Sequence, residues 1–112
     1  VATAEERLIA DREGTLELVA SLNADWDGVV NASVQANADD EHDPEGATIA
    51  FERARIEASL TRARARLADI DDALRRLDDG TYGVCEQCGG AIAAERLEAR
   101  PFARTCFTCA SS

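Results

Sequence analysis

Four cysteines, at positions 85, 88, 106 and 109, constrain this chain more than any other feature. They form two Cys-x-x-Cys pairs separated by residues 89–105. Each pair can bring two thiolates onto one metal ion, and a spacer of that length lets the second pair close a tetrahedron, which is the ligand pattern of a structural zinc site. Four thiolates on one zinc ion leave a net charge of about −2 and no open coordination position, so a metal held this way shapes the chain and performs no chemistry. Gly89 and Gly90 allow the backbone to turn tightly after the first pair. Two disulfides would require a secreted chain, and the N-terminal VATAEERL has neither the basic nor the apolar region of a signal peptide. A redox-active pair would require a βαβ context that is missing here. Oxidation with loss of zinc stays open as a secondary behaviour.

Such a site answers a shortage elsewhere. The chain has 112 residues and is 46% hydrophobic but only 4% aromatic, so a core of its own would be marginal. Zinc binding contributes the folding energy that a small module cannot obtain from burial.

The rest of the sequence predicts helix. Residues 3 to about 37 open with Thr3 and Glu6 in the relation of a capping box, followed by an apolar stripe through Leu8, Val19, Leu22, Trp26 and Val29, widened by Leu16, Leu18 and Val30. In the second segment Ile49, Ile56, Leu60, Ala63, Leu67, Ile70, Leu74 and Leu77 fall on one heptad grid that only Arg53 interrupts. A seam sustained over that many heptads predicts a coiled coil. Gly80 marks its end. The arginines from Arg53 to Arg76 interleave with acids and read as a solvated face with helical ion pairs. Leu22, Trp26 and Phe51 are expected in the seam, and Tyr82 is expected to pack the hinge.

Two striped helices joined by a short polar connection must run antiparallel. The expected fold is therefore mainly α: a long antiparallel helical hairpin over 1–79 with an acidic tip at about 38–47, followed by a four-cysteine zinc-finger module over 80–112. Asp43 and Pro44 suit an N-cap and a first helical position. His42 is expected to be an exposed loop residue, with no second histidine to share a metal.

Charge narrows the function. The formal net charge is −10, and ten carboxylates with no lysine or arginine lie between Arg12 and Arg53. In the finger, Arg96, Arg100 and Arg104 are offset by Glu86, Glu95 and Glu98, so sequence-specific DNA binding is not expected. A basic partner surface fits the acidic half better. No apolar run approaches the ~20 residues needed to span a bilayer, and the chain reads as cytoplasmic and monomeric. It contains no nucleophile with a base, no phosphate loop and no open metal site, so it does not read as an enzyme.

The segments Gly83-Val84-Cys85-Glu86-Gln87-Cys88-Gly89, Arg96-Leu97-Glu98-Ala99-Arg100-Pro101 and Cys106 to Cys109, preceded by an acidic-tipped hairpin, resemble the DksA/TraR family of bacterial zinc-finger transcription factors. The resemblance implies a regulator that binds RNA polymerase and inserts its coiled coil into the secondary channel to modulate initiation, with tip carboxylates acting close to the active centre. The family's tip pattern is Asp-x-x-Asp-x-Ala. One register places Ala47 on its alanine, with His42 and Glu45 on the aspartates; another uses Asp40 and Asp43 and leaves Glu45 on the alanine. The tip set is thus Asp40, Asp43, Glu45 and Ala47. The chain has no lysine, and the basic residues that help bind ppGpp in the family have no clear equivalents, so synergy with ppGpp is not expected. The alternative reading is a zinc-ribbon coiled-coil adaptor docking on another assembly, such as the ribosome, with the acidic loop merely solvated.

Overall fold

A computed structural model describes residues 2–39 and 44–111. Its elements are α1 (Ala4–Asp39), α2 (Pro44–Asp79), α3 (Ala94–Ala99) and α4 (Phe107–Ala110). No strand occurs among the described residues, where the only β pairing is an isolated antiparallel bridge between Val84 and Ala91.

Local chemistry sets the helix ends. The Thr3 N–H donates to the Glu6 carboxylate at 3.0 Å and the Glu6 N–H donates to the Thr3 hydroxyl at 3.1 Å, so the capping box forms in both directions. At the other end of α2, Gly80 takes a φ of 79°. That left-handed turn lets the Thr81 N–H reach the Arg76 carbonyl at 2.8 Å and the Gly80 N–H reach the Leu77 carbonyl at 3.3 Å. The two bonds make a Schellman stop, which satisfies carbonyls that the helix leaves without partners.

The chain divides into two compact units, and both helices pass through each. In the unit Gly14–Arg66, Leu22 packs with Ile56, Leu60 and Ala63, flanked by Val19, Trp26 and Val29. Asn23 and Trp26 lie beside Leu60 and Arg64, whereas Ala32 lies beside Thr48 and Ile49, so the helices run antiparallel. Arg53, the residue that breaks the heptad grid, sits with its guanidinium 5.3 Å from the centre of the Trp26 ring. A cation on an aromatic face keeps its charge while covering apolar surface, which explains how the seam accepts an arginine. Thr15, buried at 5% exposure, fills the gap that the apolar stripe leaves between Leu8 and Val19.

Three expectations are corrected. Phe51 is 71% exposed and does not join the seam. It lies five residues before Ile56, about 140° around the helix from it. Leu16 and Leu18 are also exposed, so the buried stripe of α1 is narrower than its apolar content suggests.

The second unit, Val1–Glu13 with Leu67–Ser112, holds the other core: Leu8, Ile70 and Ala73, against which Leu74, Leu77, Tyr82 and Phe102 pack. Tyr82 and Phe102 lie beyond the end of α2, so this cluster joins the helical base to the segment that carries the cysteines.

Candidate metal centre

The cysteine segment is built from tight turns. Gly83 and Gly89 adopt φ of 81° and 74°, a region that residues with a Cβ rarely enter. Around them the Ile92 N–H donates to the Gly83 carbonyl at 2.7 Å, the Cys85 N–H to Gly90 at 2.8 Å, and the Gly89 N–H to Cys85 at 3.0 Å. These bonds fold residues 83–92 back on themselves, with Cys85 buried and Cys88 exposed. The Gly90 N–H points at the Cys88 sulfur, 3.4 Å away. The second pair comes from a different device. Cys106 is the N-cap residue of α4 and Cys109 lies one turn on, so both sulfurs leave the same side of a single helical turn.

The four sulfurs converge within 4.8 Å of one another. All four cysteines are free thiols. Four sulfurs placed about 2.3 Å from one zinc ion are separated by about 3.8 Å in a regular tetrahedron, and Cys88 and Cys106 have their Sγ atoms 3.8 Å apart. The residues present therefore fit one structural zinc ion, which cross-links two segments distant in sequence. Among the described residues this is the only cluster of histidine, cysteine or acidic side chains suited to a metal.

The thiols are unequal. Backbone N–H groups of Cys88, Cys106 and Gln87 draw the Cys85 pKa down to about 6, stabilising its thiolate. Hydrogen bonding with the Cys106 and Cys85 sulfurs, reinforced by burial and by Cys88, pushes the Cys109 thiol up to about 12. Zinc uptake must displace the proton that Cys109 holds, so affinity falls as the pH falls. Titration calorimetry near neutral pH, in two buffers of different ionisation enthalpy, is expected to give a binding enthalpy that follows the buffer. A buffer-independent enthalpy would mean that no proton leaves.

A polar seat adjoins the cysteine module, and sequence reasoning did not see it. Arg76 is buried at 6% exposure, although the charge pattern placed it on a solvated face. Its Nε donates to Asp72 at 3.0 Å. Asp72 also accepts from Arg75 at 2.6 Å and pairs with Arg104 at 3.0 Å. The Arg75 hydrogen bond, ahead of the charges of Arg104 and Arg76, holds the Asp72 carboxyl below its ordinary range against the opposing effect of burial. Elsewhere the expected helical pairs do form, as between Arg55 and Glu52 and between Arg75 and Asp79.

Asp40 and Asp43 lie outside the described residues. Glu45 and Ala47 belong to the first turn of α2. His42 likewise lies outside the described residues.

A four-sulfur knuckle pair seated on the base of two long helices defines a helical protein with a structural zinc finger. Residues 80–112 match the model of the prokaryotic dksA/traR C4-type zinc finger. The finger is thus similar to that of the DksA/TraR family, as the resemblance in the sequence implies. It is 55% identical over 42 residues to the RNA polymerase-binding transcription factor DksA of Caulobacter vibrioides, covering 38% of this chain and 30% of that one. It is 39% identical over 69 residues to general stress protein 16O of Bacillus subtilis, covering 62% of this chain and 42% of that one. The matched part thus spans less than half the length of these curated relatives. Among solved structures, the transcription factor DksA2 of Pseudomonas aeruginosa is similar over 96% of this chain and 81% of that one, with a TM-score of 0.61 and 26% identity. No helix among the described residues is long and apolar enough to cross a membrane.

Proposed function

We propose that this chain is a non-enzymatic regulator of transcription that binds RNA polymerase as a monomer and carries the acidic connection between α1 and α2 into the secondary channel. The observation that carries this reading is the similarity to DksA2, which extends over 96% of the chain and so includes the helices as well as the finger. Charge supports it. Glu13, Glu17, Asp25 and Asp27 add to the carboxylates of residues 39–45 without an intervening lysine or arginine. A strongly negative projection is steered towards a basic passage, and near a magnesium-dependent centre it can bias mobile elements without making or breaking a bond. Such a partner places the protein in the cytoplasm.

The test is transcription by purified core polymerase with its initiation factor, at one stable and one unstable promoter, with and without the protein. The chain is expected to change the output of the two promoters unequally. The triple variant Asp40→Asn, Asp43→Asn, Glu45→Gln is expected to abolish that effect while binding polymerase within about threefold of the parent, because the docking contacts lie elsewhere. Normal regulation by the triple variant would refute the role of the tip, and retention on ribosomes but not on polymerase would refute the partner.

A further inference from the structure

The segment that delivers the second cysteine pair contains a run of five carbonyls, each held from outside the segment. Pro101, Phe102, Ala103, Arg104 and Thr105 are consecutive, and Cys106 follows them. The Tyr82 hydroxyl donates to the Pro101 oxygen at 3.0 Å. Arg76 donates through Nη2 to Phe102 at 3.5 Å and through Nη1 to Ala103 at 3.3 Å. The Glu86 N–H donates to Arg104 at 2.8 Å, and Arg96 Nε donates to Thr105 at 2.9 Å. Outside regular helix or sheet, backbone oxygens find partners one by one. Here three side chains, from Arg76, Tyr82 and Arg96, supply four of the five.

The donors are themselves anchored. Arg76 is locked by Asp72, which Arg104 of the same strap also grips. Its guanidinium lies 5.9 Å from the centre of the Tyr82 ring. Burial raises the Tyr82 pKa, so the phenol keeps the proton it donates. Arg96 is part of α3, one turn from the strap it holds.

We infer that Arg76, Tyr82 and Arg96 are positioning residues for the zinc site: by fixing the carbonyls of residues 101–105 they present Cys106 and Cys109 to the metal and set how firmly zinc is retained, without touching a ligand sulfur. Metal-bound finger and fixed strap form together, so free energy lost from the strap is lost from zinc retention. This inference does not depend on the polymerase reading.

The experiment uses the zinc-loaded full chain and competition against a chromophoric chelator, with helix content followed at 222 nm. Arg96→Met and Arg76→Lys are each expected to weaken zinc retention about tenfold, the scale of other supporting contacts around metal ligands. Tyr82→Phe removes one hydroxyl and keeps the ring, and is expected to weaken it about threefold. The control is Arg12→Ala, which breaks an exposed ion pair with Asp71 on the same helical base and is expected to change retention less than about twofold. Helix content of the loaded Tyr82→Phe and Arg96→Met proteins should match the parent, which separates loss of positioning from loss of fold. If both hold zinc as tightly as the parent, the inference fails; it fails equally if Arg12→Ala loosens zinc as much as they do. Should Arg76→Lys not fold, those two variants still decide.

Discussion

Stripping zinc from this protein with a strong chelator, or replacing Cys106 with serine, is expected to unfold residues 80–112. The reason is the scarcity of buried surface there. Beyond the end of α2 the buried residues are Cys85, Ile92 and Ala103, and neither α3 nor α4 contributes one. Helices of six and four residues do not stand alone, since isolated helices shorter than ~12 residues are marginal even in favourable sequences. Apparent zinc-binding energies of about 10–16 kcal/mol in comparable small fingers exceed anything that three buried side chains supply. Amide hydrogen exchange reads this directly. The N–H groups of Cys85, Glu86 and Ile92, whose partners lie across the finger, should lose protection without zinc and regain it when zinc returns. The helices of the unit Gly14–Arg66 have their own core around Ile56 and Leu60 and should keep their protection. Persistent protection of Cys85 and Ile92 in the metal-free protein would show that the finger folds without its ion.

Which parts of this structure were legible in the sequence follows from the range of the interactions. The zinc site depends on cysteine spacing and glycine turns, both of which can be read directly from the sequence. Thr3 with Glu6, and Gly80 after Asp79, were readable because caps are made within one turn. Heptad spacing placed Ile56, Leu60, Ala63 and Ile70 in the interior, where they are. What failed was what depends on partners far along the chain. Arg76 looks like any arginine of a solvated helix until residues 102 and 103 are laid against it, some 26 residues later. Ala73 is fully buried beside it although it lies off the heptad grid, because Phe102 and Tyr82 pack on the cluster it joins. Phe51 shows the opposite case: an aromatic residue close to a seam in sequence stays outside it, because its angle around the helix points elsewhere.

Arg76 also shows why the arginine-rich, lysine-free composition suits this chain. Its fork reaches one carboxylate and two carbonyls at once, from Nε, Nη1 and Nη2. An ammonium is a compact point charge and cannot span three acceptors set in that fan. The buried charge is tolerable because every donor direction used is met and Asp72 balances it; removing either partner would strand the other in the interior.

The largest single-residue effect outside the zinc ligands is expected at Ile70. It is fully buried, as is its neighbour Ala73, and Leu8 beside them is buried almost as completely. Ile70→Ala removes three carbon atoms from a cluster whose members sit on helices and cannot close the gap freely, so it should cost about 2–5 kcal/mol of unfolding free energy. Against the ~5–15 kcal/mol that stabilises a typical domain, such a loss is decisive. Its consequences should reach the finger, because Tyr82 and Phe102 pack on the same cluster and Tyr82 also donates to Pro101. Urea unfolding with zinc kept in excess measures the first effect; chelator competition measures the second. Phe51→Ala provides the contrast. At 71% exposure it should change stability by less than about 0.5 kcal/mol, although phenylalanine is the larger side chain. If the ranking were reversed, with Phe51→Ala the costlier of the two, the packing of α2 described above would be wrong. The heptad seam would then have to be rotated towards the face that carries Phe51.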